Sequence, residues 1–81
     1  MSYYVYILRC ADETLYTGWT TNIKARILAH NTGTGAKYTR GRGPVELVYQ
    51  ETLADKSAAM QREWTIKQLT RPEKLALIRD M

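Results

Sequence analysis

The chain reads as an α/β domain of the α+β kind: a small three-stranded antiparallel sheet flanked by helices, in the order β-β-α-β-α-α. Three observations predict it. Two short aromatic and β-branched runs flank a polar turn near the start, and a third such run stands mid-chain. Three stretches with helical periodicity or helix-starting residues fill most of the remainder. At 81 residues, one domain is expected, near the size at which a single apolar core suffices without disulfides or structural zinc.

Residues 3–9 are aromatic and β-branched and read as the first strand. Asp12-Glu13 supplies a polar turn, and Leu15 to Trp19 is its hairpin partner. Thr20, Thr21 and Asn22 are all capping candidates for a helix from Ile23 to Asn31. Four of the five glycines then fall within residues 33–43, closed by Pro44, which marks a long loop. Leu47-Val48-Tyr49 gives the third strand. Asp55 or Ser57 can cap a helix running to about Thr70, and Pro72 suits the first turn of a last helix. No repeat or linker interrupts this order, so residues 1–81 are read as one catalytic-size domain.

Composition narrows the function. A lone cysteine, Cys10, excludes an internal disulfide and a Cys-based zinc site, which fits a reducing cytosol. No apolar run approaches the roughly 18–20 residues that span a bilayer, and the Met1 end has no signal-peptide pattern, so a soluble cytoplasmic protein is expected. Twelve Lys and Arg against eight Asp and Glu leave a net charge of +4, which favours a polyanionic partner. Lys37, Arg40 and Arg42 concentrate that charge in the loop, without an acidic residue between them. Six Tyr and no Phe mean that most aromatic surface carries a hydroxyl in need of a partner or a task.

The residues able to do chemistry follow from helical phase. At about 100° per residue, Glu63 falls between Ala59 and Ile66 on one side and Met60 and Lys67 on the other. A carboxylate there is partly desolvated unless something satisfies it. Two readings stand: an i, i+4 pair with Lys67, or a metal ligand. On the first helix Ile23 and Ile27 mark the buried stripe, with Arg26 and His30 along its edge. Arg26 is either a solvated helix residue or a fork for two phosphate oxygens, and His30 either a C-terminal cation or a proton carrier. Tyr4 and Tyr6 share one face of the first strand, Tyr16 and Gly18 one face of the second. Gly18 leaves room for a backbone or ligand to approach.

At these residues the chain resembles the GIY-YIG nuclease superfamily. Tyr4-Val5-Tyr6 stands where the family has Gly-Ile-Tyr, and Tyr16-Thr17-Gly18 where it has Tyr-Ile-Gly. Thr21 to Arg26 resembles the helix bearing the family's essential arginine, His30-Asn31 follows as in many members, and Arg62-Glu63 with Lys67 resembles the segment of the metal-binding glutamate. The likeness runs from about Tyr4 to Leu69. Within the family it is similar to the short stand-alone bacterial members, whose basic loop reads much like Gly35 to Arg40. Tyr4 and Thr17 depart from the motifs at strand positions where their cost should be small.

The resemblance implies a metal-dependent endonuclease acting on DNA, with RNA left open. Glu63 is the implied ligand of one Mg²⁺ or Mn²⁺, Arg26 stabilises the phosphate, and Tyr6, Tyr16 or His30 accepts the proton of attacking water. Lys37, Tyr38, Arg40, Arg42 and Lys67 are the expected nucleic-acid contacts. No room is expected within these 81 residues for the extra domains with which larger members choose targets, so a protein partner for targeting is a further expectation. The rival is a non-catalytic nucleic-acid-binding module that keeps the fold and the charge. A phosphate loop is excluded because the spacing of Gly33, Gly35 and Lys37 is wrong and they follow a helix.

Overall fold

In a computed structural model of the chain, residues 2–32 and 43–80 are described. Strand β1 spans Tyr3–Arg9, β2 Leu15–Thr20, helix α1 Ile23–Asn31, β3 Glu46–Leu53, α2 Lys56–Lys67 and α3 Arg71–Arg79. The sheet order is β2-β1-β3, and both pairings are antiparallel. Among these residues no helix is long and apolar enough to cross a membrane.

The central strand explains the layering. Val5, Tyr6, Ile7 and Leu8 are all buried, because β1 has neighbours on both edges and helices over both faces. With a side-chain period of two, Val5 and Ile7 point one way, into an apolar cluster with Tyr49 of β3 and Ala59 and Ile66 of α2. Leu77 and Ile78 of α3 pack against that cluster. Tyr6 and Leu8 point the other way, with Cys10 and Val45, under Ile23 and Ile27 of α1. Each fully buried aliphatic side chain contributes roughly 1.5–3 kcal/mol.

Local chemistry sets the element ends. Asn22 caps α1, its Oδ1 accepting from the Ala25 N–H at 3.1 Å, and Asp55 caps α2 by accepting from Ala58 at 2.8 Å. Glu13 takes a left-handed φ of 71° in the β1–β2 turn, where Asp12 Oδ1 accepts from Thr14 N–H and hydroxyl. Asn31 Oδ1 accepts from Val45 N–H at 2.7 Å and so ties the end of α1 to the start of β3.

Two boundaries and one side chain correct the sequence reading. α2 stops at Lys67 rather than near Thr70, because Thr70 and Glu73 form a reciprocal capping box that starts α3. β3 runs from Glu46 to Leu53, beyond the apolar core 47–49, because it pairs with the whole of β1 across a register shift at Ile7/Leu8. Thr17 does not fit without cost: it sits opposite Ile7, is buried, and its hydroxyl has no hydrogen-bond partner among the described residues.

Candidate active site

Tyr6 organises one face of the sheet. It lies directly opposite Gly18 on β2 and Gln50 on β3. A Cβ added at Gly18 would stand 2.6 Å from the Tyr6 hydroxyl oxygen, 2.9 Å from its Cζ and 3.1 Å from Tyr16 Cε2. The space that the sequence suggests for a ligand is therefore occupied by the protein's own tyrosine. Hairpin register, which puts Gly18 opposite Tyr6, is the signal that reveals it.

Helix α1 delivers two further groups to the same hydroxyl. His30 Nε2 lies 3.2 Å from Tyr6 Oη, and Arg26 Nε donates to Oη at 3.4 Å. The rings of Tyr6 and His30 meet edge-on at 6.2 Å, and the Tyr16 ring stands 6.4 Å from Tyr6 and 5.2 Å from His30. His30 is not at the edge of the helix's apolar stripe, as phase predicts, but at 2 % exposure is the buried residue of α1. α1 lies over Tyr6, and a side chain that reaches that hydroxyl is enclosed. Tyr4, on the same strand face, lines instead a shallow cleft with Asn22, Lys24 and Gln50.

Electrostatics fixes the protonation of this cluster. Burial raises the Tyr6 pKa above that of free tyrosine; the hydrogen bond from Arg26 opposes this, and the charges of Tyr16 and Glu63 add to the rise. Burial, assisted by the Arg26 charge, lowers His30. The bond to Tyr6 raises Arg26. At neutral pH the site holds a protonated tyrosine, a neutral imidazole and a guanidinium cation.

Glu63 comes from α2, in the layer beyond the opposite sheet face, and what joins it to the cluster is its charge, felt at the Tyr6 hydroxyl. Its carboxylate also forms the i, i+4 pair with Lys67, at 3.7 Å. Lys67 is half exposed, so the pair is weak and does not commit the carboxylate. Among the described residues no three His, Cys, Asp or Glu side chains converge as a metal cluster. A divalent ion here would have Glu63 as its protein ligand and water or phosphate oxygens elsewhere. A hard, partly exposed carboxylate fits Mg²⁺ or Mn²⁺ on those terms, since magnesium commonly keeps several waters. Lys37, Tyr38, Arg40 and Arg42 lie outside the described residues.

Two tyrosines, a histidine and an arginine gather over one face of the three-stranded sheet, and the chain's class, a nuclease-type catalytic domain, follows from its family. The profile of the GIY-YIG catalytic domain matches residues 2–76, and the chain belongs to this family. It is 65 % identical over 75 residues to a UPF0213 protein of Clostridium perfringens, covering 93 % of this chain and 81 % of that one. A UPF0213 protein of Natronomonas pharaonis is 62 % identical over 78 residues, covering 96 % and 92 %. The solution NMR structure of a UPF0213 protein from Bacillus halodurans is 48 % identical and superposes with a TM-score of 0.63, covering 98 % of this chain and 84 % of that one. The order β-β-α-β-α-α and the β2-β1-β3 sheet agree with that likeness.

Proposed function

We propose that this protein is a metal-dependent endonuclease that hydrolyses phosphodiester bonds of DNA in a reducing cytoplasm. The observation that carries the reading is the double engagement of one hydroxyl: Tyr6 Oη contacts both a neutral histidine and a cationic arginine. Arginine only donates hydrogen bonds, so Arg26 uses a lone pair of Oη; with His30 as the Nδ1–H tautomer, the tyrosine proton is directed at Nε2. Attacking water then gives a proton to Oη as Oη passes its own to Nε2. The water oxygen bonds to phosphorus, the P–O3′ bond breaks, and the 3′ oxygen is protonated from solvent. Neutral His30 suits the acceptor role, and Tyr6 needs no net ionisation, which its raised pKa would resist.

Arg26 keeps further N–H donors for the non-bridging phosphate oxygens and holds their growing charge. Glu63 would hold a divalent ion, and the chemistry that ion would supply is Lewis-acid stabilisation of charge on the leaving oxygen. Tyr16, packed on His30, keeps the imidazole in place. Lys37, Tyr38, Arg40, Arg42 and Lys67 supply charge and a stacking ring for the polyanion.

The test is incubation of the purified chain with nicked, branched, duplex and single-stranded DNA in Mg²⁺ or Mn²⁺. Cleavage that disappears in Glu63→Gln and in chelator, with DNA affinity retained, is the expected result. DNA binding without cleavage of any substrate in either ion would leave a binding module instead.

A further inference from the structure

The sheet face beneath α2 carries a second hydrogen-bonded set, distinct from the Tyr6 cluster. Tyr49 and Glu51 stand two apart on β3, opposite Ile7 and Val5, so their side chains share the face on which α2 packs. The Tyr49 hydroxyl donates to Glu51 Oε2, and Arg62 Nε of α2 donates to Glu51 Oε1 at 2.8 Å. Tyr49 is buried, and the Glu51 and Arg62 side chains are 24 % and 34 % exposed. A short, partly buried, charge-assisted pair of this kind holds geometry far better than an exposed one.

Its place on α2 matters. At about 100° per residue, with Ala59 and Ile66 turned to the core, Arg62 and Glu63 fall on opposite flanks of the helix. Arg62 is fastened toward β3, at one edge of the sheet, which leaves Glu63 on the flank away from it. The apolar contacts of a small alanine and one isoleucine resist lifting of the helix more than rolling. A roll of about 20° would move a group 5–6 Å from the axis by about 2 Å. A misplacement of about 1 Å is enough to cost 10²-fold in a catalytic step.

We propose that the Tyr49–Glu51–Arg62 clamp fixes the rotation of α2 and thereby sets Glu63 in place, with Arg62 as its positioning residue. The proposal rests on the reading of Glu63 as the metal ligand. The test titrates the 81-residue chain with Mn²⁺ alone and follows paramagnetic broadening of the Glu63 and Lys67 backbone amides by NMR. Arg62→Lys, Glu51→Gln and Tyr49→Phe are compared with wild type, with thermal melts run alongside. Tyr49→Phe removes only a hydroxyl, so a folded clamp variant is available even if Glu51→Gln melts early.

Arg62→Lys and Glu51→Gln should need roughly 10–100-fold more Mn²⁺ for half-maximal broadening, as other supports of metal ligands do, with Tyr49→Phe shifted less. The Mg²⁺ requirement for cleavage should rise in parallel while the KM for DNA stays fixed. Lower melting temperatures with an unchanged Mn²⁺ midpoint would reduce the clamp to ordinary structure and overturn the proposal alone. No Mn²⁺ effect near Glu63 in the wild type would overturn the metal reading and the clamp's role with it.

Discussion

Replacing Gly18 by alanine is the sharpest probe of the Tyr6 site, because the perturbation is one methyl group at a known distance. Gly18 has no left-handed φ, so alanine meets no backbone penalty and the effect is purely steric. The new Cβ would lie 2.6 Å from Tyr6 Oη and 2.9 Å from Cζ. Ordinary packing requires roughly 3.5–4.0 Å, so the ring end must retreat by about 1 Å. Tyr6 is only 1 % exposed and cannot swing into solvent. Its bonds to His30 and Arg26, at 3.2 and 3.4 Å, are already long and will not survive that shift.

Overpacking of this kind destabilises by about 1–3 kcal/mol, which for a domain this size lowers the melting temperature by on the order of 5–20 °C. Thermal melts and cleavage rates of Gly18→Ala, Tyr6→Phe and the double variant form a cycle. Removing Oη takes away the closest clash, so the two changes should couple by about 0.5–3 kcal/mol, with the double variant less damaged than the sum. Gly18→Ala with wild-type melting and wild-type rate would refute the packing of Tyr6 on Gly18.

Three further expectations follow from particular residues. Thr17→Val, which keeps the shape and removes a buried hydroxyl that has no partner among the described residues, should raise stability by about 1–2 kcal/mol in denaturant titrations; a drop would mean the hydroxyl is satisfied. His30 holds its proton less readily when folded, so the unfolded chain binds a proton near pH 6.5 that the native state does not. Stability should be full above about pH 6.5 and fall as pH drops below it, and His30→Gln should flatten that slope; a wild-type protein that gains stability there contradicts a buried neutral imidazole. Neutralising Lys37, Arg40 and Arg42 together should weaken binding to all duplexes alike and flatten log K against log[salt] by roughly 0.9 for each phosphate left unneutralised; an unchanged slope removes the loop from the interface.

Much of this molecule is legible in its residues. The period of two in β1 separates Tyr6 from Val5 and Ile7, and Asn22 and Asp55 announce their helices. Arg26 and His30, one turn apart, must share a flank of α1. Other features depend on tertiary placement. Helical phase assigns His30 to an edge, and only the seating of α1 over Tyr6 makes it a buried residue. Glu46, Gln50 and Thr52 are polar at the exposed positions of β3, and their polarity hides its true length. The capping box from Thr70 to Glu73 is visible in the sequence, but a continuous helical pattern masks it. The Tyr49–Glu51–Arg62 set joins a strand to a helix eleven residues on, and nothing in spacing alone reveals it.

The claim that Tyr6 relays the proton of attacking water is tested most directly by single-turnover cleavage with Tyr6→Phe, DNA affinity being measured on the same preparation. The substitution removes one hydroxyl and leaves the ring in the core. A relay through Oη requires the rate to fall by roughly 10²–10⁴ while affinity stays at the wild-type value and the melt shifts by little more than one hydrogen bond, about 1 kcal/mol. Cleavage by Tyr6→Phe at the wild-type rate would contradict it.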